Sequence, residues 1–240
     1  MGIAAFGVKN DIGYCLIKDS NTSTYHKIAR MQKRGFIILI LFAVTSFLFG
    51  CGPTIVNMKI DEIGAYPHPL LKPLPIHAGV YYGDDFRAFK VTQEAGPSDA
   101  LVVYNIEMGK ANIALFDFVL SNVFENVTPI LDISDGFKNR NNIHLIIEPT
   151  VDKYFFTVLS YHPVWFVGIT YRTVIYLPNN EKIIWPIEAY VERPAAAFKF
   201  LSTCLEELTR SAMRQVAAKF MTDFCKQEEI KELFHTECDQ

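Results

Sequence analysis

The chain is predicted to fold as an α+β domain, a largely antiparallel sheet with two helices packed on one face. Three observations predict this. Trp165 to Leu177 and Lys182 to Val191 alternate apolar and polar residues with a period of two, the mark of half-buried strands. Leu115 to Val127, and Ala195 to about Lys226, carry apolar residues every three or four positions, the mark of amphipathic helices. The order is strands, one helix, more strands and a closing helix, not the steady alternation of a parallel-sheet protein. Half of the 240 residues are hydrophobic, enough for a packed core and unlike a disordered chain.

Taken in order, Gly52 to Pro75 carries prolines at 53, 67, 69, 73 and 75. That spacing predicts an extended, polyproline-like tether over 51–75, with a single folded domain over 76–240. Ile76 to Val91 reads as a strand, a Gly-containing turn and a second extended stretch, and Ala100 to Gly109 as another strand. In the first helix Leu115, Phe116, Val119, Leu120, Val123 and Val127 share a face, and Pro129 closes it. Thr128 to Ile133 reads as a further strand start, and Ser134 to Asn142 as a polar loop. Ile143–Ile147 and Lys153–Tyr161 are expected as two strands split by Glu148-Pro149.

The hairpin that follows is constrained by parity. Trp165, Val167, Ile169, Tyr171, Ile175 and Leu177 share one face, as do Ile183, Trp185, Ile187, Ala189 and Val191. Both rows are odd-numbered, so the connecting loop must hold an odd number of residues. Leu177 opposite Glu181, across Pro178-Asn179-Asn180 with Asn180 left-handed, satisfies this. Pro186 cannot donate to a ladder, which predicts an edge strand or a bulge. In the closing helix the apolar stripe runs through Leu201, Leu205, Leu208, Ala212, Val216, Phe220 and Phe224, with Pro194 just ahead of it.

The N-terminal region has a different character. Lys27, Arg30, Lys33 and Arg34 precede Phe36–Phe49, an uncharged run of 14 residues that ends at Gly50-Cys51-Gly52. A bilayer-spanning helix needs about 20 apolar residues, so the run suits the apolar region of an export signal better than a span. Leu48-Phe49-Gly50-Cys51 resembles the lipobox of bacterial lipoproteins, with Phe49 bulkier than that family usually carries at its position. The resemblance implies cleavage between Gly50 and Cys51, a diacylglycerol on the Cys51 thiol and attachment to a membrane through the acyl chains. In that family an Asp just after the cysteine commonly retains the protein in the inner membrane. Gly52 stands there, so the resemblance implies the outer membrane, facing the periplasm. Beginning at Met31 yields a compact signal peptide over 31–50, which marks 1–30 as an upstream extension of the start.

From Cys51 onward there are 17 Lys and Arg against 24 Asp and Glu, a net charge of about −7 without basic clusters. That balance argues against a nucleic-acid partner, which needs concentrated cations. HExxH, paired CxxC, GxSxG and phosphate-loop patterns are all missing, so no metal, cofactor or catalytic residue is expected. Asp84-Asp85 is expected as a solvated turn, and His144 and His162 as ordinary strand-associated histidines. Tyr81-Tyr82, Trp165-Phe166 and Trp185 are expected in packing. Cys204 and Cys225 lie about 30 Å apart on one helix and cannot bridge, whereas Cys225 with Cys238 is left open. The functional expectation is a non-catalytic, lipid-anchored accessory with a protein partner in the cell envelope, and a lipid- or glycan-binding protein as the alternative. The hairpin edge near Pro186 and the segment Ser134–Asn142 are the expected contact surfaces. The wider architecture loosely resembles small periplasmic lipoprotein domains, such as the lipoprotein partner of the lipopolysaccharide translocon.

Overall fold

A computed structural model of the protein describes residues 52, 54–61, 63–64, 66, 72–95, 102–139, 142–158, 164–194 and 201–238. The expected signal segment, Gly50, Cys51 and His162 lie outside the described residues. In chain order the elements are β1 (Thr54–Lys59), β2 (Leu74–Val80), the single turn α1 (Asp84–Arg87), β3 (Lys90–Ala95), β4 (Val102–Glu107) and α2 (Gly109–Val123). Next come β5 (Phe124–Pro129), α3 (Ile133–Asn139), β6 (Leu145–Val158), β7 (Val164–Tyr176) and β8 (Lys182–Pro194). The chain closes with α4 (Leu201–Asp223), a 3₁₀ turn at Phe224–Lys226, α5 (Glu228–Leu233) and α6 (His235–Cys238).

The α+β class holds, with two sheets in place of one. A five-stranded sheet has the order β5-β2-β6-β7-β8, and a three-stranded sheet has the order β1-β4-β3. The long strands β6, β7 and β8 pair antiparallel, as β3 does with β4. β2 runs parallel to both β5 and β6, and β1 runs parallel to β4. α2 and α4 pack side by side, and α4 covers β7 and β8.

The hairpin follows its parity. The Leu177 N–H donates to the Glu181 carbonyl at 3.0 Å, and Asn180 stands at φ 68°. Ile183, Trp185, Ile187, Ala189 and Val191 are all buried, while Ile184 and Tyr190 between them are 62% and 55% exposed. Against this face stand Phe220 of α4 and Phe224 of the 3₁₀ turn that follows it, with the Trp185 ring 4.9 Å from Phe220 and 6.2 Å from Phe224. Phe116 from α2 stands edge-on to Phe220 at 6.0 Å and to Tyr171 at 5.4 Å, which welds the two helices to the sheet.

Four expectations are corrected. The first concerns the tether: Thr54–Lys59 is a strand, in register with β4 from Thr54 opposite Val102 to Lys59 opposite Glu107. Met58 and Ile60 are buried in the main core, so ordered structure begins well ahead of Ile76. Second, α2 stops at Val123, and Val127 belongs to β5, which pairs with β2. Third, the segment expected as a polar loop contains α3. Its Gly136 lies against Ile146 and Ile130, where a Cβ would come within 2.7 Å of the Ile146 side chain.

Fourth, Glu148-Pro149 does not split a strand, because β6 runs unbroken for 14 residues. The apparent break is a bulge: Val151 faces Tyr171 but Lys153 faces Thr170, which leaves Asp152 unpaired. The bulge switches the buried row from odd residues such as Ile147 to the even pair Tyr154 and Phe156. Pro149 is tolerated because β2 pairs with β6 only over Leu145–Ile147, so no ladder is interrupted beyond it.

Gln93 of β3 joins the two sheets. Its Nε2 donates to the Phe156 carbonyl at 2.6 Å, and the Phe156 N–H donates back to its Oε1 at 3.2 Å. The side-chain amide thus imitates a strand partner on the free edge of β6. Cys225 and Cys238 form a disulfide, fastening α6 to the 3₁₀ turn that follows α4.

Three stability outcomes follow from these contacts. A Cβ on Gly109 would sit 1.8 Å from the Arg87 carbonyl oxygen, and backbone cannot swing aside. Gly109→Ala is therefore expected to cost about 2–3 kcal/mol in urea unfolding. The ordinary Gly-to-Ala gain of about 0.5–1 kcal/mol within a helix would contradict the packing. Gln93→Ala strands two backbone groups and is expected to cost about 1–3 kcal/mol, where an unchanged midpoint would deny the sheet-joining role. Replacing both Cys225 and Cys238 by Ser opens a loop of 13-residue separation, for an expected loss of about 3 kcal/mol.

Candidate functional site

Three surface regions and one buried network are the places where chemistry could reside. The concave region lies at the far end of the small sheet. Lys59, Glu107 and Lys90 stand in one cross-strand row there. Together with Asp61, Arg87, Gly109 and Lys110 they line a cleft of about 240 Å³. Lys59 pairs with Asp61 at 3.3 Å and Lys90 with Glu107 at 3.2 Å, all about half exposed. Such pairs contribute about 0–1 kcal/mol each. The Arg87 Nε donates to the Tyr82 carbonyl at 2.9 Å, with its guanidinium 5.6 Å from the Tyr82 ring. Four cations against two carboxylates make the cleft a positive concavity on a net-acidic body. Sequence reading missed it, because strand register brings Lys59 beside Lys90 through Glu107, while Arg87 and Lys110 arrive from the helices α1 and α2.

The second region is the outer face of the large sheet. Gly168 stands between Phe155 on β6 and Tyr190 on β8. A Cβ there would lie 2.3 Å from the Phe155 ring and 3.0 Å from that of Tyr190, so glycine lets both rings fold over the strand. Phe166 meets Phe155 edge-on at 5.9 Å, and Lys153 Nζ lies 4.8 Å from the Phe155 centroid. Of the aromatics expected in packing, Phe166 falls in this outer patch. Trp185 and Tyr82 are buried in the core, and Tyr81 joins a small satellite cluster with Ile130, Ile143 and Ile146.

The third region is the free edge of β8, expected as a contact surface near Pro186. Pro186 has no N–H to offer. Two residues on, the Glu188 carbonyl accepts from Lys219 Nζ at 2.5 Å. The edge is blocked at both positions, a device that prevents strand addition. The other expected surface, 134–142, is largely α3, whose Ile133 and Phe137 pack against the satellite cluster.

Inside, paired hydroxyls fix the helices on the sheet. Tyr171 donates to Asn112 Oδ1 at 2.6 Å, Tyr154 shares a 2.8 Å bond with Thr209, and Tyr82 donates to Asp117 Oδ1 at 2.7 Å. Burial pushes the Tyr82, Tyr154 and Tyr171 hydroxyls well above the ordinary tyrosine range. Burial, aided by the Glu148 hydrogen bond, pushes Tyr176 up to about 12. The Cys204 thiol, also buried, is pushed up to about 12 and is no nucleophile.

The remaining expected residues are structural. Asp84 and Asp85 are exposed in the first turn of α1, where carboxylates favour the helix start. His144 accepts from the His77 N–H at 2.9 Å and returns a backbone bond to the His77 carbonyl. Among the described residues no group of three His, Cys, Asp or Glu could hold a metal ion. Likewise, no described helix is long and apolar enough to cross a membrane.

No protein-family model and no curated protein sequence matches the chain. Among solved structures it is similar to a DUF330 protein of Xanthomonas campestris, at 12% identity and TM-score 0.42, over 73% of this chain and 98% of that one. Rare lipoprotein B of Shewanella oneidensis overlaps at 15% identity and TM-score 0.39, over 65% and 98%. A minor lipoprotein of Acinetobacter baumannii does so at 10% identity and TM-score 0.36, over 63% and 91%. Likeness at this level transfers no function.

The tyrosine network predicts a pH profile. A tyrosine whose value is raised on folding contributes stability that is fully present below about 10 and is lost as pH rises toward its folded value. Reversible unfolding should therefore show stability falling between about pH 10 and 12, with tyrosinate absorbance appearing together with unfolding. Full tyrosinate absorbance in a still-folded protein would contradict the buried network.

Proposed function

We propose that this protein is a lipid-anchored lipoprotein of the bacterial cell envelope. In this reading it is held through acylated Cys51 at the periplasmic face of the outer membrane and acts as a non-catalytic accessory to another envelope component. The observation that carries the anchor is the sequence Leu48-Phe49-Gly50-Cys51 after a basic segment and a 14-residue apolar run. The Cys225–Cys238 disulfide is in keeping with an oxidising compartment. An accessory role is the reading of a body whose buried Tyr82, Tyr154, Tyr171 and Cys204 serve packing. Its positive cleft is the surface best suited to an acidic patch on a protein partner.

The outer-face patch of the half-buried Phe155 and Phe166 with the exposed Tyr190, flanked by Lys153, favours a second reading. Such rings form a platform for a sugar face or an acyl chain, as in a lipid- or glycan-binding envelope protein. Native mass spectrometry of the acyl-free domain separates the two, since co-purifying lipid or glycan lost in Phe155→Ala supports the second.

The anchor is tested by the intact mass of the membrane-extracted protein beside a Cys51→Ala variant. A mass that begins at Cys51 and includes acyl chains, absent from the variant, is the expected result. A mass that retains Phe36–Phe49 would mean an uncleaved anchor and would overturn the outer-membrane placement.

A further inference from the structure

β1 begins three residues after Cys51. Three peptide units reach at most about 11 Å. If the anchor is as proposed above, the acyl chains enter the bilayer within that distance of Thr54, so the body has a short leash in place of a 25-residue tether. Thr54 lies at one end of the small sheet, level with Val102 and Ala95.

The outer face of that sheet is graded along its length. Nearest the leash is the row Ile55, Val103 and Glu94, with Ile55 59% exposed. The middle row is Asn57, Asn105 and Thr92, joined by amide and hydroxyl hydrogen bonds of 2.9 and 2.8 Å. The far row is Lys59, Glu107 and Lys90, about 17 Å from Thr54 at the usual strand rise. Two of the three side chains nearest the leash are aliphatic and the third is the exposed Glu94, the middle row is uncharged, and all three side chains of the far row are charged. Ionic groups cost most to bring against a bilayer, and aliphatic ones least.

We infer that the small sheet stands end-on to the membrane, with its Ile55–Val103 row against the phospholipid headgroups and the Lys59–Lys90–Lys110 cleft facing away into the periplasm. The inference rests on the lipoprotein reading. It gives the cleft a direction, presented outward to an envelope partner and not to lipid.

The test uses the acylated full-length protein in phospholipid vesicles. A fluorophore is placed on Glu94→Cys or on Lys110→Cys, both exposed positions. Cys204 is buried, and Cys225 and Cys238 are bonded to each other, so among the described residues the new thiol is the accessible one. Vesicles carrying a nitroxide on the lipid headgroup should quench the Glu94→Cys probe at least twofold more than the Lys110→Cys probe. Equal quenching, or more at Lys110→Cys, with acylation confirmed by intact mass, overturns this inference alone. A protein found without acyl chains overturns the lipoprotein reading and this inference with it.

Discussion

The fold depends on one constraint: β7 and β8 must bury the same parity of residue on a single face, and α4 must cover that face. The Pro178-Asn179-Asn180 loop keeps the odd-numbered rows together, and Trp185, Phe220 and Phe224 close over them. A turn shorter by one residue would send Ile183, Trp185 and Ile187 to solvent and leave the apolar stripe of α4 without a partner. Phe116 and Tyr171 extend the same contact to α2, so both helices are placed by one aromatic cluster. The small sheet is then attached at its margin through Gln93 and through the buried Met58, Tyr104 and Ile106.

Where the sequence was legible, a strong period met an unambiguous turn. The hairpin register, the left-handed Asn180 and the edge position of Pro186 all follow from residue order and elementary sterics. The misreadings have physical causes. β1 lies in a proline-rich neighbourhood, and its six residues bury little besides Met58, so composition outweighs pattern. β6 changes parity at Asp152, and a period that shifts by one looks like an ending. α3 has seven residues and only a small hydrophobic face, too short for a helical period to stand out.

The surface was less legible than the core. Composition reveals a net-acidic body, yet it hides a positive cleft in which the Lys59–Glu107–Lys90 register meets Arg87 and Lys110 from two helices. Pro186 marked the sheet edge correctly, and Lys219 on the Glu188 carbonyl adds a second position at which that edge is closed to strand addition. Gly168 carried no sequence signal at all. Only its cross-strand neighbours reveal that it makes room for two aromatic rings. The proposed anchor motif is the reverse case: four consecutive residues are enough to propose it, because its chemistry is local.

The proposed lipid anchor at Cys51 and the ordered strand that starts at Thr54 together make the account distinctive, and the second half is the more exposed to disproof. Hydrogen–deuterium exchange across Thr54–Lys59 tests it most directly. The Ile60 N–H donates to the Glu107 carbonyl at 2.9 Å, and N–H direction alternates along a strand, so Val56 and Met58 should donate to β4 as well. The account predicts slow exchange at these alternate amides, comparable with those of β4. Uniformly fast exchange from Thr54 to Ile60 would make the segment a free tether and would remove the short leash.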